Sequence, residues 1–317
     1  MKNILRLCLL LFGIGTLSAQ EDSTKIAFVA YWWKGDTYHY KVTKSSQKFI
    51  NDTLTGNSSS SYNATFKVID STAKSYTIKW AWTNAHLDNI DLPKEILDEG
   101  INDSLNAITY LTSETGEFQE ILNWQDASKS FIKMLDNATA FTIKNKKIKD
   151  TIKFKSVINT FKNTYSTKQG IEQYVLKEIE LMHFFMGYEF DINKNTGYEE
   201  QFPNLMGGKP LIANTTIKFY NIDRENGRCN IDKTSVINKD DVKQMMISNL
   251  IKMGIPEDKV NSELENATAS ISHNYTYDFY YNPGVLVTLD YRRIVEVKSK
   301  NKSNKKIESI KIDMLDD

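Results

Sequence analysis

Apolar and polar residues alternate with a period of two over most of this chain, and no other feature of the sequence constrains the fold as strongly. The alternating segments are rich in Tyr, Thr, Val, Ile and Phe, which favour strands. Successive side chains of a strand point to opposite faces of its sheet, so each segment predicts a strand with one buried face. The predicted strands cover 35–44, 61–70, 74–83, 106–112, 214–223, 228–237, 272–281, 285–298 and 306–315.

Short polar turns between these segments predict antiparallel meanders. The stretch FYNIDRENGRCNID, residues 219–232, contains Asn226-Gly227, a strong signal for a two-residue hairpin turn with positive φ at both positions. It predicts that 214–223 pairs with 228–237, with Cys229 just inside the second strand. A calcium loop is disfavoured here because its glycine is misplaced. The polar run 51–61 predicts a loop between the first two strands.

Apolar residues at three- and four-residue spacing predict helices in the middle of the chain and once near its end. The clearest helix spans 239–254: Asn238 is a suitable N-cap, and Gly254 followed by Pro256 ends it. The other predicted helices cover 92–101, 127–141, 147–165 and 168–188.

Together these elements predict an α+β fold of antiparallel β-meander sheets, with two β-rich halves and a helical middle. The predicted parts are a signal peptide (1–19), an N-terminal β-rich half (20–125), a helical middle segment (126–205) and a C-terminal β-rich half (206–317). The last three can also form one compact domain. Each half has the order hairpin, helix, hairpin, so a duplicated β-β-α-β-β module is an alternative interpretation.

The first twenty residues predict export. A basic start at Lys2 and Arg6 precedes an apolar run over 7–14, and small residues precede Gln20, which is the order of a secretory signal peptide. We therefore expect a periplasmic or extracellular protein. No later run reaches the ~18 apolar residues of a spanning helix, so no transmembrane segment is expected in the mature chain.

Charge and motifs exclude several classes of function. Lys plus Arg and Asp plus Glu each number 40, so no nucleic-acid partner is expected. The chain has no P-loop, GxSxG or dinucleotide-binding motif, and we expect no cofactor and no catalytic motif. The four histidines, at positions 39, 86, 183 and 273, lack the spacing of a metal site, and no metal is expected. A weak calcium loop at 191–200 is an open alternative.

Aromatic residues are the candidate ligand-binding residues. Trp80 and Trp82 lie on one face of a predicted strand, as do Tyr275, Tyr277 and Phe279 on another. Such faces can line a groove for an apolar or amphipathic small molecule. Packing within the sheet core is the alternative interpretation.

The phrases KGDTYHYKVTK, TSETGEFQEILNW and PNLMGGKP, with a signal ending in SAQ, resemble secreted or periplasmic Bacteroidota proteins of unknown function. The plan of exported antiparallel sheets with a helical insert is similar, at the level of the fold, to periplasmic lipoprotein-carrier half-barrels. The resemblance implies export and supplies no catalytic residues.

The function predicted is that of a non-enzymatic exported binding or interaction protein, with an apolar small molecule or an envelope protein as its partner. One alternative is a hydrolase whose site assembles from distant residues and recruits His39 or His273. Another is a structural protein of the cell envelope.

Overall fold

The computed structural model describes residues 24–83, 107–145, 151–204, 209–252, 254–264, 267–299 and 302–316. The predicted signal peptide and the helix predicted at 92–101 lie outside these residues, so the duplicated module stays a prediction. In the described part no helix combines the length and the apolar character needed to cross a membrane.

The described strands form one large antiparallel sheet and one small one. The small sheet pairs β1 with β7, and the large sheet has the order β6-β5-β4-β3-β2-β13-β12-β11-β10-β9-β8. An α+β, mostly β fold is therefore confirmed. The strands are β1 (Lys25–Ala27), β2 (Thr37–Ile50), β3 (Thr53–Thr72), β4 (Ser75–Thr83), β5 (Ala107–Ser113), β6 (Phe118–Ile121), β7 (Glu189–Asp191), β8 (Thr196–Phe202), β9 (Leu211–Asp223), β10 (Arg228–Ile237), β11 (Thr268–Tyr280), β12 (Val285–Ser299) and β13 (Lys302–Met314).

The two β-rich halves meet inside the large sheet. Strand β13 pairs antiparallel with β2, and Ile312 lies opposite Val42. On either side of this pair the strands follow one another as simple meanders. The predicted boundaries at 125 and 205 remain predictions, although strands from both sides of them belong to one sheet.

The large sheet must curve around its core. Adjacent strands lie about 4.8 Å apart, so β5 and β9, eight positions apart in the strand order, would be separated by roughly 40 Å in a flat sheet. Yet Tyr110 of β5 contacts His183, with ring centroids 5.4 Å apart, and Phe219 of β9 contacts Phe185, with centroids 6.3 Å apart. His183 and Phe185 are two residues apart, so the sheet wraps around this segment. We call the enclosed side the inner face.

The helices are α1 (Trp124–Asn145), α2 (Thr151–Tyr165), α3 (Lys168–His183), α4 (Lys239–Lys252) and α5 (Glu257–Leu264). Helix α3 lies on the inner face, where Ile171, Ile179 and Met182 join the main core, and α1 and α2 pack against it. Thr167 caps α3 by accepting a hydrogen bond from the Gly170 amide. Helix α4 covers the other end of the inner face, and its Val242 packs in a second apolar cluster with Ile271.

The pairing predicted for 214–223 and 228–237 is confirmed, but the turn is not the one expected. Strands β9 and β10 are joined by the four residues 224–227, of which only Gly227, at φ 64°, has positive φ. The Asp223 carboxylate accepts a hydrogen bond from the Asn226 amide at 3.0 Å and stabilises this longer turn. Cys229 is the second residue of β10, as predicted, and its side chain is buried.

The loop predicted at 51–61 is wrong. Only Asn51 and Asp52 form the turn, with φ of 48° and 61°, which is the two-residue geometry expected at Asn226-Gly227. The serine-rich run then belongs to β3, where Ser59 pairs with Ser45 of β2. Its low strand propensity is outweighed because β2 continues beside it and satisfies its backbone groups.

An extended segment before β2 was not predicted. Phe28, Ala30 and Trp32 are buried in turn along it. The amide of Phe28 donates to the Tyr188 carbonyl at 2.9 Å, and that of Ala30 donates to the Thr115 carbonyl at 3.1 Å. These bonds hold the segment across one end of the inner face, against the turns that flank β5 and α3.

Candidate functional site

Four of the five aromatic residues predicted as ligand contacts belong to the main core, and the fifth, Trp82, packs against it. Trp80 on β4 packs against Tyr40 with ring centroids 5.9 Å apart, and Trp82 is partly buried beside this core. Tyr275, Tyr277 and Phe279 lie on the inner face of β11 and are buried. Protein side chains cover the four buried rings, and a cavity beside Trp32 and Tyr40 has a volume of about 10 Å³. That volume accommodates about one water molecule.

Two buried tyrosine hydroxyls in this core differ in their partners. The Tyr110 hydroxyl lies 2.8 Å from Nε2 of His183, whose Nδ1 lies 2.7 Å from the Gly116 carbonyl oxygen. The carbonyl can only accept, so Nδ1 carries the proton and Nε2 accepts from the tyrosine. The Tyr277 hydroxyl has no hydrogen-bond partner among the described residues.

This difference predicts opposite results for the same substitution. We expect Tyr277→Phe to leave the free energy of unfolding unchanged or to raise it by about 1 kcal/mol, since no hydrogen bond is lost and a buried polar atom is removed. Tyr110→Phe leaves Nε2 of His183 without a donor and is expected to cost about 1–3 kcal/mol. Urea denaturation of both variants measures the effect, and an equal loss in both would contradict the assignment.

A group of charged side chains occupies the inner face between α3 and α4. We call it the inner-face charge cluster, and it has members from α3, β8, β10, β11, β12 and β13. Its members are Lys177, Glu200, Lys233, His273, Arg293 and Glu308.

The Lys233–Glu200 pair is the most buried part of this cluster. Lys233 is only 2% exposed, and its Nζ lies 2.9 Å from Oε1 of Glu200 and 3.7 Å from the ring centroid of Phe184. The hydroxyls of Thr215 and Ser235 donate to Oε2 of Glu200 at 2.8 and 3.0 Å. Burial lowers the pKa of Lys233, and Glu200 opposes that shift. The carboxylate is thus fully engaged and holds the lysine in place.

His273 stands between this pair and Arg293. Its Nδ1 lies 2.9 Å from the Tyr291 hydroxyl, and its ring stacks on Phe202 with centroids 4.5 Å apart. Burial, and then the positive charges of Lys177, Arg293 and Lys233, lower the pKa of His273 to about 3. The imidazole is therefore neutral near pH 7. Arg293, opposite His273 on β12, binds Oε2 of Glu308 at 2.8 Å.

Lys177 differs from the other cations of the cluster. Its Nζ lies 4.6 Å from the ring centroid of Tyr291, and no carboxylate of the described residues is within ion-pair distance. Burial lowers its pKa, against the opposing effects of Glu180, Glu178 and Glu200. The neighbouring Glu178 is bound by Lys44 instead. Lys177 is thus a partly buried cation that faces an aromatic ring rather than an anion.

Apolar residues continue the inner face beyond the charge cluster. Phe202, which stacks on His273, also packs against the second apolar cluster beneath α4, together with Met245, Met246 and Val295. A cavity of about 110 Å³ lies between α4, α5 and the start of β11. It is lined by Lys239, Asp240, Lys243, Met246, Leu264, Ala267, Thr268 and Ala269. Charged and apolar surfaces therefore adjoin on one face.

The two histidines named for a hydrolase lie on opposite faces of the sheet. His39 is exposed on the outer face, where its Nδ1 lies 3.1 Å from the Thr65 hydroxyl, whereas His273 lies on the inner face. They do not contribute to one site. Sequence reasoning missed His183, because its partners Tyr110 and Gly116 are distant in the chain.

No group of three metal-binding acids, histidines or cysteines occurs among the residues that the structure describes. At the calcium loop proposed for 191–200, the Asp191 carboxylate instead accepts a hydrogen bond from the Asn193 amide at 3.1 Å. Burial raises the pKa of the Cys229 thiol to about 12. The thiol therefore stays protonated and is a poor nucleophile at neutral pH.

Acid is expected to destabilise the fold through two buried histidines. Burial lowers the pKa of His183 to about 4 and that of His273 to about 3, against an ordinary value of 6.5. Between pH 6.5 and 4 the unfolded chain binds more protons than the folded one, so stability falls as the pH falls. We expect a loss of roughly 2 kcal/mol per histidine at pH 5 and none above pH 7.

Two measurements check this pH dependence. Urea denaturation at pH 7 and pH 5 gives the loss of stability, and the nitrogen chemical shifts of both imidazoles report their protonation. Both rings should remain neutral in the folded protein at pH 5. A titration midpoint above pH 6 for either ring would contradict the prediction.

Comparison with known proteins identifies no family. No family model matches the chain. A search of curated proteins finds no match either. The resemblance to Bacteroidota secreted proteins therefore stays a prediction. Among solved structures, the chain is similar to lipovitellin, in a structure described by its lipid–protein interactions, with a TM-score of 0.44 and 10% identity. The similarity covers 90% of this chain and 25% of the lipovitellin chain, so this chain spans about a quarter of that protein.

Proposed function

We propose that this protein is an exported, non-enzymatic binding protein that holds an amphipathic molecule against the inner face of its sheet. The observation that carries the proposal is that the inner-face charge cluster adjoins the second apolar cluster, whose Met246 and Ala269 line the cavity beneath α4. Phe202 connects the two, since it stacks on His273 and packs in the second apolar cluster with Met246, which lines the cavity. A ligand with one polar and one apolar end matches such a junction.

The size of the cavity limits what enters it without rearrangement. Its volume of about 110 Å³ is below the roughly 300–1,000 Å³ of typical small-molecule sites. A chain end therefore fits, and a longer chain requires α4 to move away from the sheet. Met245 and Met246 on the sheet-facing side of α4 favour such an adjustment, because methionine side chains are flexible and repack easily.

Export rests on the first twenty residues. Their order of basic, apolar and small residues is that of a secretory signal. Expression of the full chain, followed by mass spectrometry of the secreted or periplasmic form, checks this part of the proposal. A form that begins near residue 20 supports it, and a full-length cytoplasmic form contradicts it.

The binding proposal is tested by filling the cavity. Ala269 lines it, so Ala269→Phe should occupy the space for an apolar chain. We expect about tenfold weaker binding of a fluorescent fatty acid to this variant than to the unchanged chain, equivalent to about 1.4 kcal/mol. Ala140→Phe, at an exposed position of α1, is the matched control and should bind normally. Absence of binding to the unchanged chain, or equal binding to all three proteins, would refute the proposal.

A further inference from the structure

We infer that the inner face recognises the anionic headgroup of its ligand, a carboxylate or a phosphate, and that Lys177 is the principal contact. This inference rests on the proposed function, since it names the polar end of the amphipathic molecule. No carboxylate of the described residues lies within ion-pair distance of the Lys177 ammonium group.

The surroundings of Lys177 compensate its charge only in part. The side chain is partly buried, and its ammonium group faces the ring of Tyr291 at 4.6 Å. A ring attracts a cation by about 0.5–2 kcal/mol, which offsets only part of the cost of removing a charge from water. An anion placed beside this ammonium group would supply the missing interaction. Lys177 is partly exposed, so a ligand can reach it from solvent.

Three of the four carboxylates near Lys177 are bound by other cations. Glu178 binds Lys44, and Glu200 binds Lys233. Glu308 binds both Arg293 and Lys306. The fourth carboxylate, Glu180, lies on an exposed position of α3. Among the cations of the inner-face charge cluster, Lys177 is therefore the one that no carboxylate of the described residues binds at ion-pair distance.

The inner-face charge cluster contains three cations, Lys177, Lys233 and Arg293, and two carboxylates, Glu200 and Glu308. Arg293, Lys233 and Lys177 all lie close enough to His273 to disfavour its protonated form, and the imidazole is neutral near pH 7. A cationic headgroup would meet these same charges and be repelled. An uncharged headgroup would leave the charge of Lys177 without an anionic partner. Of the three kinds of headgroup, the anionic one is attracted by these cations.

Ligands that share one chain and differ in headgroup test the inference. Dodecanoate, dodecyl phosphate, dodecanol and dodecyltrimethylammonium are titrated by calorimetry into the full mature chain. We expect the two anions to bind about tenfold or more tightly than dodecanol, a difference of about 1.4 kcal/mol, and the cation to bind most weakly. Acetate and inorganic phosphate, titrated alone, should not bind at the concentrations that saturate the dodecyl anions.

Variants of Lys177 identify the contact. Lys177→Met should abolish the preference for anions and leave the affinity for dodecanol unchanged, whereas Lys177→Arg should retain the preference. Lys129→Met, which removes a lysine 79% exposed on α1, is the matched control and should behave as the unchanged chain. The Lys177→Met variant should also be as stable as the unchanged chain or more so without ligand, because a partly buried charge is removed.

The outcomes separate the inference from the proposed function. Equal binding of dodecanoate and dodecanol, with no effect of Lys177→Met, overturns the inference and leaves the proposed function intact. Binding of no dodecyl compound overturns both. Tight binding of inorganic phosphate or acetate alone overturns the headgroup assignment, since the site would then serve a free anion.

Discussion

Replacing Gly284 with alanine is expected to lower the free energy of unfolding by roughly 3 kcal/mol. Gly284 has a φ of +86°, a left-handed conformation that costs an alanine about 1–2 kcal/mol. An added Cβ would also lie 2.8 Å from the backbone oxygen of Val29 and 2.8 Å from Cε of Met186. The backbone of the extended segment cannot move aside easily, because hydrogen bonds hold it on both sides. Overlap of this kind adds about 1–3 kcal/mol.

Gly254 provides a control with the same backbone conformation. Its φ is +88°, and an added Cβ would meet no atom of the described residues within 4 Å. Gly254→Ala should therefore show only the conformational cost of about 1–2 kcal/mol. Urea denaturation followed by circular dichroism measures both variants. If Gly284→Ala costs no more than Gly254→Ala, the close packing of the segment against the β11–β12 turn is wrong.

Trp32→Ala is expected to destabilise the protein by about 3–5 kcal/mol, the usual range for loss of a buried tryptophan. Trp32 is 5% exposed, and its ring centroid lies 5.1 Å from those of Phe66 and Tyr76. Its indole N–H also donates to the Gly284 carbonyl at 3.2 Å. The substitution thus removes the side chain that anchors the extended segment to β3, β4 and the β11–β12 turn.

The next residue in the chain is a matched control. Trp33 is 79% exposed, because neighbouring residues of an extended segment face opposite sides. Trp33→Ala should change the free energy of unfolding by no more than about 0.5 kcal/mol. Thermal and urea unfolding of both variants give the comparison. Similar effects at the two positions would show that the segment does not lie across the inner face as described.

The strands with clean alternation were predictable because local spacing determines them. Residues 228–237 illustrate this, since every second side chain from Cys229 to Ile237 is buried. The extended segment was missed because its outward residues, among them Tyr31 and Trp33, are apolar too, so no alternation is visible. The pairing of β13 with β2 could not be predicted, since spacing within a strand carries no information on its neighbour.

The sequence indicates the inner-face charge cluster through charged residues at inward positions of two strands. In the burial pattern of β10, Lys233 occupies an inward position between Ile231 and Ser235, and Arg293 follows Tyr291 in the same way on β12. A charged residue at an inward position of a strand indicates a buried ion pair or a functional site. Its partner Glu200 was not predictable, because β8 lacks a clear apolar alternation.

The pairing of β13 with β2 has a consequence for how the chain assembles. The strand that is synthesised after all the other described strands occupies an interior position of the sheet, between β2 and β12. Until it arrives, β2 and β12 each present a row of unpaired amides and carbonyls, which readily join other chains. A chain in which residues 302–314 have not yet joined the sheet therefore has two sheets with open edges, and such edges promote aggregation.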